Sequence, residues 1–187
     1  MDKILVVPGY QGSNEQHWQT WLQQQYPQAE RLADIDYQRP ILRHWRKHIQ
    51  QYLKAQSQPV FIVAHSFGCL AVAAAIADFA DKVSAVLLVA PAAPQHFVSR
   101  GLAREFPSLP SISAEVPTKS LNTSGILIGS RDDPWMSFTE ATTLATHWQL
   151  YFYDAGFAGH INAHSGYGAW PECKYLLDTL RSGCCNV

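Results

Sequence analysis

Ser66 stands in VAHSFGCLA (residues 63–71), between a β-branched apolar run and a run of alanines. The local order is strand, then Ala64-His65-Ser66-Phe67-Gly68, then helix, which is a nucleophile elbow with alanine in place of its first glycine. Such a turn needs small residues at 64 and 68, because it brings strand and helix backbones together and forces the central residue into a sparsely populated conformation. The alternative is a serine that simply N-caps the following helix. A nucleophilic hydroxyl also needs a base to take its proton and an acid to fix the tautomer of that base. On this kind of turn the acid should follow a later strand and the base should follow the last one.

Both partners occur in that order. GSRDDPW (129–135) offers Asp133, with Asp132 as its competitor, and GFAGHINAHSGYG (156–168) offers His160, with His164 as its competitor. Whichever aspartate is not used is expected to serve the turn ahead of Pro134. Gly159 lets the histidine loop approach the elbow closely. The backbone N–H of Phe67, at the helix start, and that of Tyr10, in the PGYQGS loop after the first strand, are the expected oxyanion donors. That glycine loop matches neither phosphate-binding pattern. Trp18, Trp135 and Tyr167, with Phe138 and Trp170, lie near these segments in sequence and are candidates for a substrate pocket, although core packing explains aromatics equally well. His44 with His48, and His160 with His164, have the spacing of paired metal ligands, but no H-E-x-x-H motif or third ligand accompanies them, so no metal is expected.

The elements that must hold these residues alternate short apolar runs with longer amphipathic ones, the α/β pattern. Strands are expected at Lys3–Val7, more weakly at Arg31–Asp36, then at Val60–Ala64, Val83–Ala90, Gly125–Gly129 and Leu150–Tyr153. Helices are expected over Glu15–Tyr26, capped by Ser13 or Asn14, and over Ile41–Ala55, Phe67–Ala80, Ser137–Thr146 and Pro171–Arg181. The proline- and serine-rich connection 91–124 is long enough for a lid or a pocket wall, and the tail 182–187 is expected to fray.

With 187 residues, 47% of them hydrophobic and 16% charged, the chain suits a single domain, 1–187. A net charge of −1 from 14 basic and 15 acidic residues provides no footprint for nucleic acid or an anionic membrane. The N-terminal apolar run is broken by Pro8 too early for a signal peptide, and no stretch reaches membrane-span length, so a cytoplasmic protein is expected. Cys69, Cys173, Cys184 and Cys185 lack Cys-x-x-Cys or zinc spacing and read as free thiols.

Four blocks in order, VVPGYQGSNEQHWQTW, VAHSFGCLA, SRDDPW and GHINAHSGYGAWPE, span nearly the whole chain. Together they resemble the small α/β-hydrolases of the retinoblastoma-binding-protein-9-like serine hydrolase family, particularly its bacterial members. By that resemblance Ser66 matches the nucleophile, Asp133 the aspartate directly before proline, and His160 the histidine of the Gly-His pair. It implies a doubly wound, mostly parallel sheet, a compact α/β-hydrolase without a large cap domain, and hydrolysis of small esters or, in some members, amides or amino-acid esters. The Leu-x-Cys-x-Glu motif behind the family's name is absent, so binding to a retinoblastoma-type partner is not implied. The expectation is a carboxylesterase-like enzyme with a small-molecule ester or amide substrate, no cofactor, and neither nucleic acid nor membrane as partner. The alternatives are an aminopeptidase-like amide hydrolase, which needs a fixed acid near the crevice, and a non-catalytic binding protein on the same scaffold.

Overall fold

In the computed structural model, which describes residues 2–183, six strands form one sheet. They are β1 (Ile4–Val7), β2 (Ala29–Arg31), β3 (Val60–His65), β4 (Val83–Val89), β7 (Ser124–Gly129) and β8 (Tyr151–Asp154); a two-stranded ribbon, β5 (Phe97–Val98) and β6 (Gly101–Leu102), lies apart. The order across the sheet is β2-β1-β3-β4-β7-β8, and every pairing is parallel. Strands buried on both faces read as unbroken apolar runs, which is why β1, β3 and β4 are so plain in the sequence.

Helices cover both faces. On one, α1 (Trp18–Gln24) and α5 (Pro171–Arg181) bury Trp18, Leu22, Cys173 and Leu177 against Ile4, Val6, Val63 and Leu87. On the other lie α2 (Leu42–Lys54), α3 (Phe67–Ile76) and α4 (Phe138–Trp148), with Trp45, Leu70 and Trp148 in the core. All ten residues of α3, FGCLAVAAAI, are buried; alanines let the helix sit close on the sheet while α2 packs over it. The chain runs from β1 outward to β2 and then returns past β1 to β3, so the sheet reverses direction between β1 and β3. Open α/β sheets place their ligand crevice at such a reversal, outside the carboxyl ends of the strands.

Two expected elements differ. Helix α1 starts at Trp18, not Glu15, and its cap is His17, whose Nδ1 accepts the Gln19 N–H. Neither proposed cap is free for that role: the Ser13 hydroxyl donates to Gln19 Oε1 at 2.6 Å, and Asn14 Oδ1 accepts the Gln16 N–H. The second strand occupies Ala29–Arg31, not 31–36, because pairing with β1 ends at Arg31 and the chain turns through Asp34 at φ 61°.

The connection 91–124 carries Phe97, Leu102, Ile112, Val116 and Leu121 into the core, and the Ala93 N–H donates to the Trp135 carbonyl at 2.8 Å. Cys69 and Cys173 are buried free thiols, both pushed up by burial. Cys184, Cys185 and the last four residues of the expected frayed tail lie outside the described residues.

Candidate active site

Ser66 follows β3 directly and precedes the first residue of α3, with φ 55° and ψ −125°. A serine held at positive φ is a strained position that surrounding structure must enforce. Part of that enforcement comes from the approach of β1. A Cβ on Gly68 would lie 2.4 Å from the Pro8 carbonyl oxygen, and one on Gly9 would lie 2.7 Å from Ser66 Cβ. The loop after β1 and the elbow after β3 therefore touch at the switch point, backbone against backbone. The Ser66 side chain makes no capping bond to α3, which removes the reading of a serine that merely starts a helix.

The hydroxyl goes elsewhere. Ser66 Oγ lies 2.8 Å from His160 Nε2, and His160 Nδ1 lies 2.9 Å from both oxygens of Asp133. With Nδ1–H donating to the carboxylate, Nε2 is the ring's acceptor and faces the serine proton. The Asp133 and His160 side chains are 3% and 8% exposed, so the pair acts through a medium far less screening than water. Asp133 Oδ1 also accepts the Trp135 N–H at 2.8 Å.

Asp132 does different work. Its Oδ1 accepts the Ser130 hydroxyl and the Gly159 N–H, each at 2.8 Å, and those bonds hold its carboxyl below the usual carboxylate range. Ser130 Oγ in turn accepts the Ala158 N–H. The strand-end loops after β7 and β8 are thus laced together one residue before the histidine. Gly159, at φ 56°, completes the approach, since a Cβ there would meet Ser165 Oγ at 2.8 Å.

Two further residues fix the histidine loop from the other side. The His65 Nε2–H donates to the His160 carbonyl at 2.9 Å, and the Trp18 Nε1–H donates to the Ile161 carbonyl at 2.8 Å. Both anchors come from residues absent from the sequence-derived catalytic set. Trp18, expected in a substrate pocket, is fully buried and is not among the residues lining the cleft. Tyr167 also lies away from the cleft, packed on Trp170 with ring centroids 4.9 Å apart; of the three candidate pocket aromatics, Trp135 alone lines it.

The cleft beside Ser66 has a volume of about 270 Å³, lined by Tyr10, Gln11, Asn14, His17, Trp135 and Asn162 together with Ser66 and His160. The Phe67 N–H begins α3 and so has no intrahelical acceptor, and neither it nor the Tyr10 N–H has a hydrogen-bond partner among the described residues. None of residues 91–124 lines this cleft. They line a second crevice of about 260 Å³, which Trp135 also borders. His164 is exposed at the cleft edge, and His44 and His48 lie on α2 beside a separate small crevice.

Burial holds two imidazoles neutral. His17 is lowered to about 4 by desolvation, then by the Arg31 charge and the neighbouring His160 imidazole; His65 is held well below its ordinary value by burial, then by His160 and His17. Unfolding frees both to take up protons near pH 6.5. Between that pH and about 4 the unfolded chain therefore binds protons that the native protein refuses, and stability must fall as pH falls. His17 alone accounts for about 3 kcal/mol across that window. Urea melts at pH 7.5, 6, 5 and 4.5 should show this decline before the carboxylates titrate; a flat profile would contradict it.

A family model described as serine hydrolase matches residues 4–179. YdeN of Bacillus subtilis is 23% identical, over 96% of this chain and 95% of its own length. Its solved structure superposes with a TM-score of 0.76 at 21% identity, covering 97% of this chain and all of that one. A YdeN-like protein of Pectobacterium atrosepticum superposes with a TM-score of 0.82 at 30% identity, covering 96% of this chain and 91% of that one. Est1E of Butyrivibrio proteoclasticus, solved with ferulic acid bound, shares the fold at 12% identity and a TM-score of 0.69, covering 98% of this chain and 88% of that one.

Proposed function

The chain belongs to the serine hydrolase family, and from that premise we propose that it hydrolyses small esters through Ser66, His160 and Asp133. The observation that carries this reading is the continuous path from Ser66 Oγ through His160 to Asp133, at 2.8 and 2.9 Å, rooted in a serine at positive φ. Holding that backbone conformation costs on the order of 1–3 kcal/mol, a cost that binding alone does not require.

In this mechanism His160 Nε2 takes the Ser66 proton as Oγ bonds to the ester carbonyl carbon, and the C=O pair moves onto oxygen. The N–H groups of Tyr10 and Phe67 receive the oxyanion, while Asp133 stabilises the imidazolium. Collapse breaks the bond to the leaving oxygen, which takes the proton from His160 and departs as the alcohol. Water then gives a proton to His160 and attacks the acyl carbon; the second collapse releases the acid and returns the proton to Ser66. No cofactor enters either half.

The aminopeptidase reading needs a carboxylate beside the cleft to hold a free ammonium, and no Asp or Glu is among the residues lining it. The finer likeness to the retinoblastoma-binding-protein-9-like branch and its bacterial members rests on the four sequence blocks. A cytoplasmic setting rests on the buried free thiols of Cys69 and Cys173. No helix among the described residues is long and apolar enough to cross a membrane. We read residues 91–124 as a fixed buttress behind Trp135 within a single domain.

A panel of p-nitrophenyl acetate, butyrate and octanoate, with leucine p-nitroanilide, tests the proposal. Acetate and butyrate should turn over, with octanoate about tenfold or more poorer in kcat/KM because a short cleft leaves its chain in water. Failure to turn over any ester, or preference for the anilide, would overturn it.

A further inference from the structure

The wall of the cleft carries a substrate class within the ester-hydrolase reading, on which this inference rests. Imidazoles aside, its side chains are uncharged, and no Lys or Arg is among them. Asn14 and Asn162 both have their carboxamide oxygens engaged by nearby donors. Asn14 Oδ1 accepts the Gln16 N–H at 3.1 Å; Asn162 Oδ1 accepts the Ser165 N–H and hydroxyl, each at 3.0 Å. An amide whose oxygen is taken has only N–H donors left to offer.

His17 adds a donor of an unusual kind. Its Nδ1 accepts the Gln19 N–H at 3.2 Å, so the neutral ring carries its proton on Nε2. The residue is 4% exposed, and Nε2 is buried with no hydrogen-bond partner among the described residues. A buried donor without a partner is costly. Beside a nucleophile, in the wall of the same cleft, that cost is recovered whenever a ligand brings an acceptor. An apolar chain would strip water from these donors and return nothing; an anion would find no cationic partner.

We propose that the cleft selects esters whose acyl group bears a neutral oxygen acceptor, an ether or hydroxyl oxygen, next to the scissile carbonyl. His17 Nε2–H and the amino groups of Asn14 and Asn162 are the recognising donors.

The test compares p-nitrophenyl methoxyacetate with p-nitrophenyl butyrate, two acyl chains of equal length that differ by oxygen for methylene. Each kcat/KM is divided by the rate constant for hydroxide-catalysed hydrolysis of the same ester, which removes the inductive effect of the ether oxygen. The corrected ratio should favour methoxyacetate by about tenfold, the worth of one well-made hydrogen bond. It should fall about threefold or more in His17→Phe and in Asn14→Leu, and be partly restored in His17→Gln, which keeps an N–H donor. A purely structural His17 would change the urea midpoint of His17→Phe and leave the ratio alone, which overturns the proposal. Should His17→Phe not fold, Asn14→Leu decides, since Asn14 is exposed and its replacement leaves the core intact. A wild-type ratio near one with brisk butyrate turnover overturns this inference and leaves the ester reading standing. Turnover of neither ester overturns both.

Discussion

Replacing Ser66 with alanine is expected to lower kcat for p-nitrophenyl butyrate by on the order of 10⁴- to 10⁶-fold, with KM little changed. The size follows from the site's construction. Without Oγ no acyl-enzyme can form, and His160 and Asp133 are left to act on water alone. The fold should survive, because Ser66 Oγ makes no bond to the helix it precedes. Ser66→Gly sharpens the point. Glycine relaxes a position held at φ 55°, so activity should vanish while stability rises by about 1 kcal/mol. A variant at residue 66 that retained even a tenth of wild-type turnover would end the assignment.

Asp133→Asn should cost about 10⁴-fold in kcat, since an amide facing Nδ1 favours the tautomer that places a proton on Nε2, where the serine proton has to go. The neighbouring carboxylate supplies the control. Asp132 touches no reacting atom; it ties Ser130 to the Gly159 N–H and so positions the histidine loop. Asp132→Asn keeps an oxygen acceptor for Gly159, and a loss of about tenfold or less is expected, as befits an indirect role. Steady-state kinetics on the two variants, with urea midpoints to confirm folding, would check the ordering. Equal losses, or a greater loss at 132, would mean the carboxylates have exchanged roles.

Much of this was legible because elbow, acid and base each follow a strand whose burial leaves a strong apolar mark. Val60–Ala64 and Gly125–Gly129 announce the ends from which Ser66 and Asp133 project, and the doublet Asp132-Asp133 is narrowed by the proline that follows it. Strand β2 was misplaced because an edge strand of three residues, Ala-Glu-Arg, carries neither alternation nor β-branched character. His17 was overlooked as a cap because the usual cap residues, Ser13 and Asn14, stood a few positions earlier and were committed to other partners. Trp18 was assigned to the pocket since proximity in sequence to catalytic segments does not distinguish an indole facing the cleft from one reaching Ile161 across 143 residues. His65 sits in plain view before the nucleophile, yet its hydrogen bond to the His160 carbonyl depends on loop geometry that spacing does not encode.

The measurement that bears most directly on the central claim is the site of attack by a fluorophosphonate, read by peptide mass spectrometry after brief exposure of the native protein. The account predicts one adduct, on Ser66, whose formation is lost in Ser66→Ala and slowed in His160→Ala. An adduct on another residue, or an active esterase that forms none at Ser66, would contradict it.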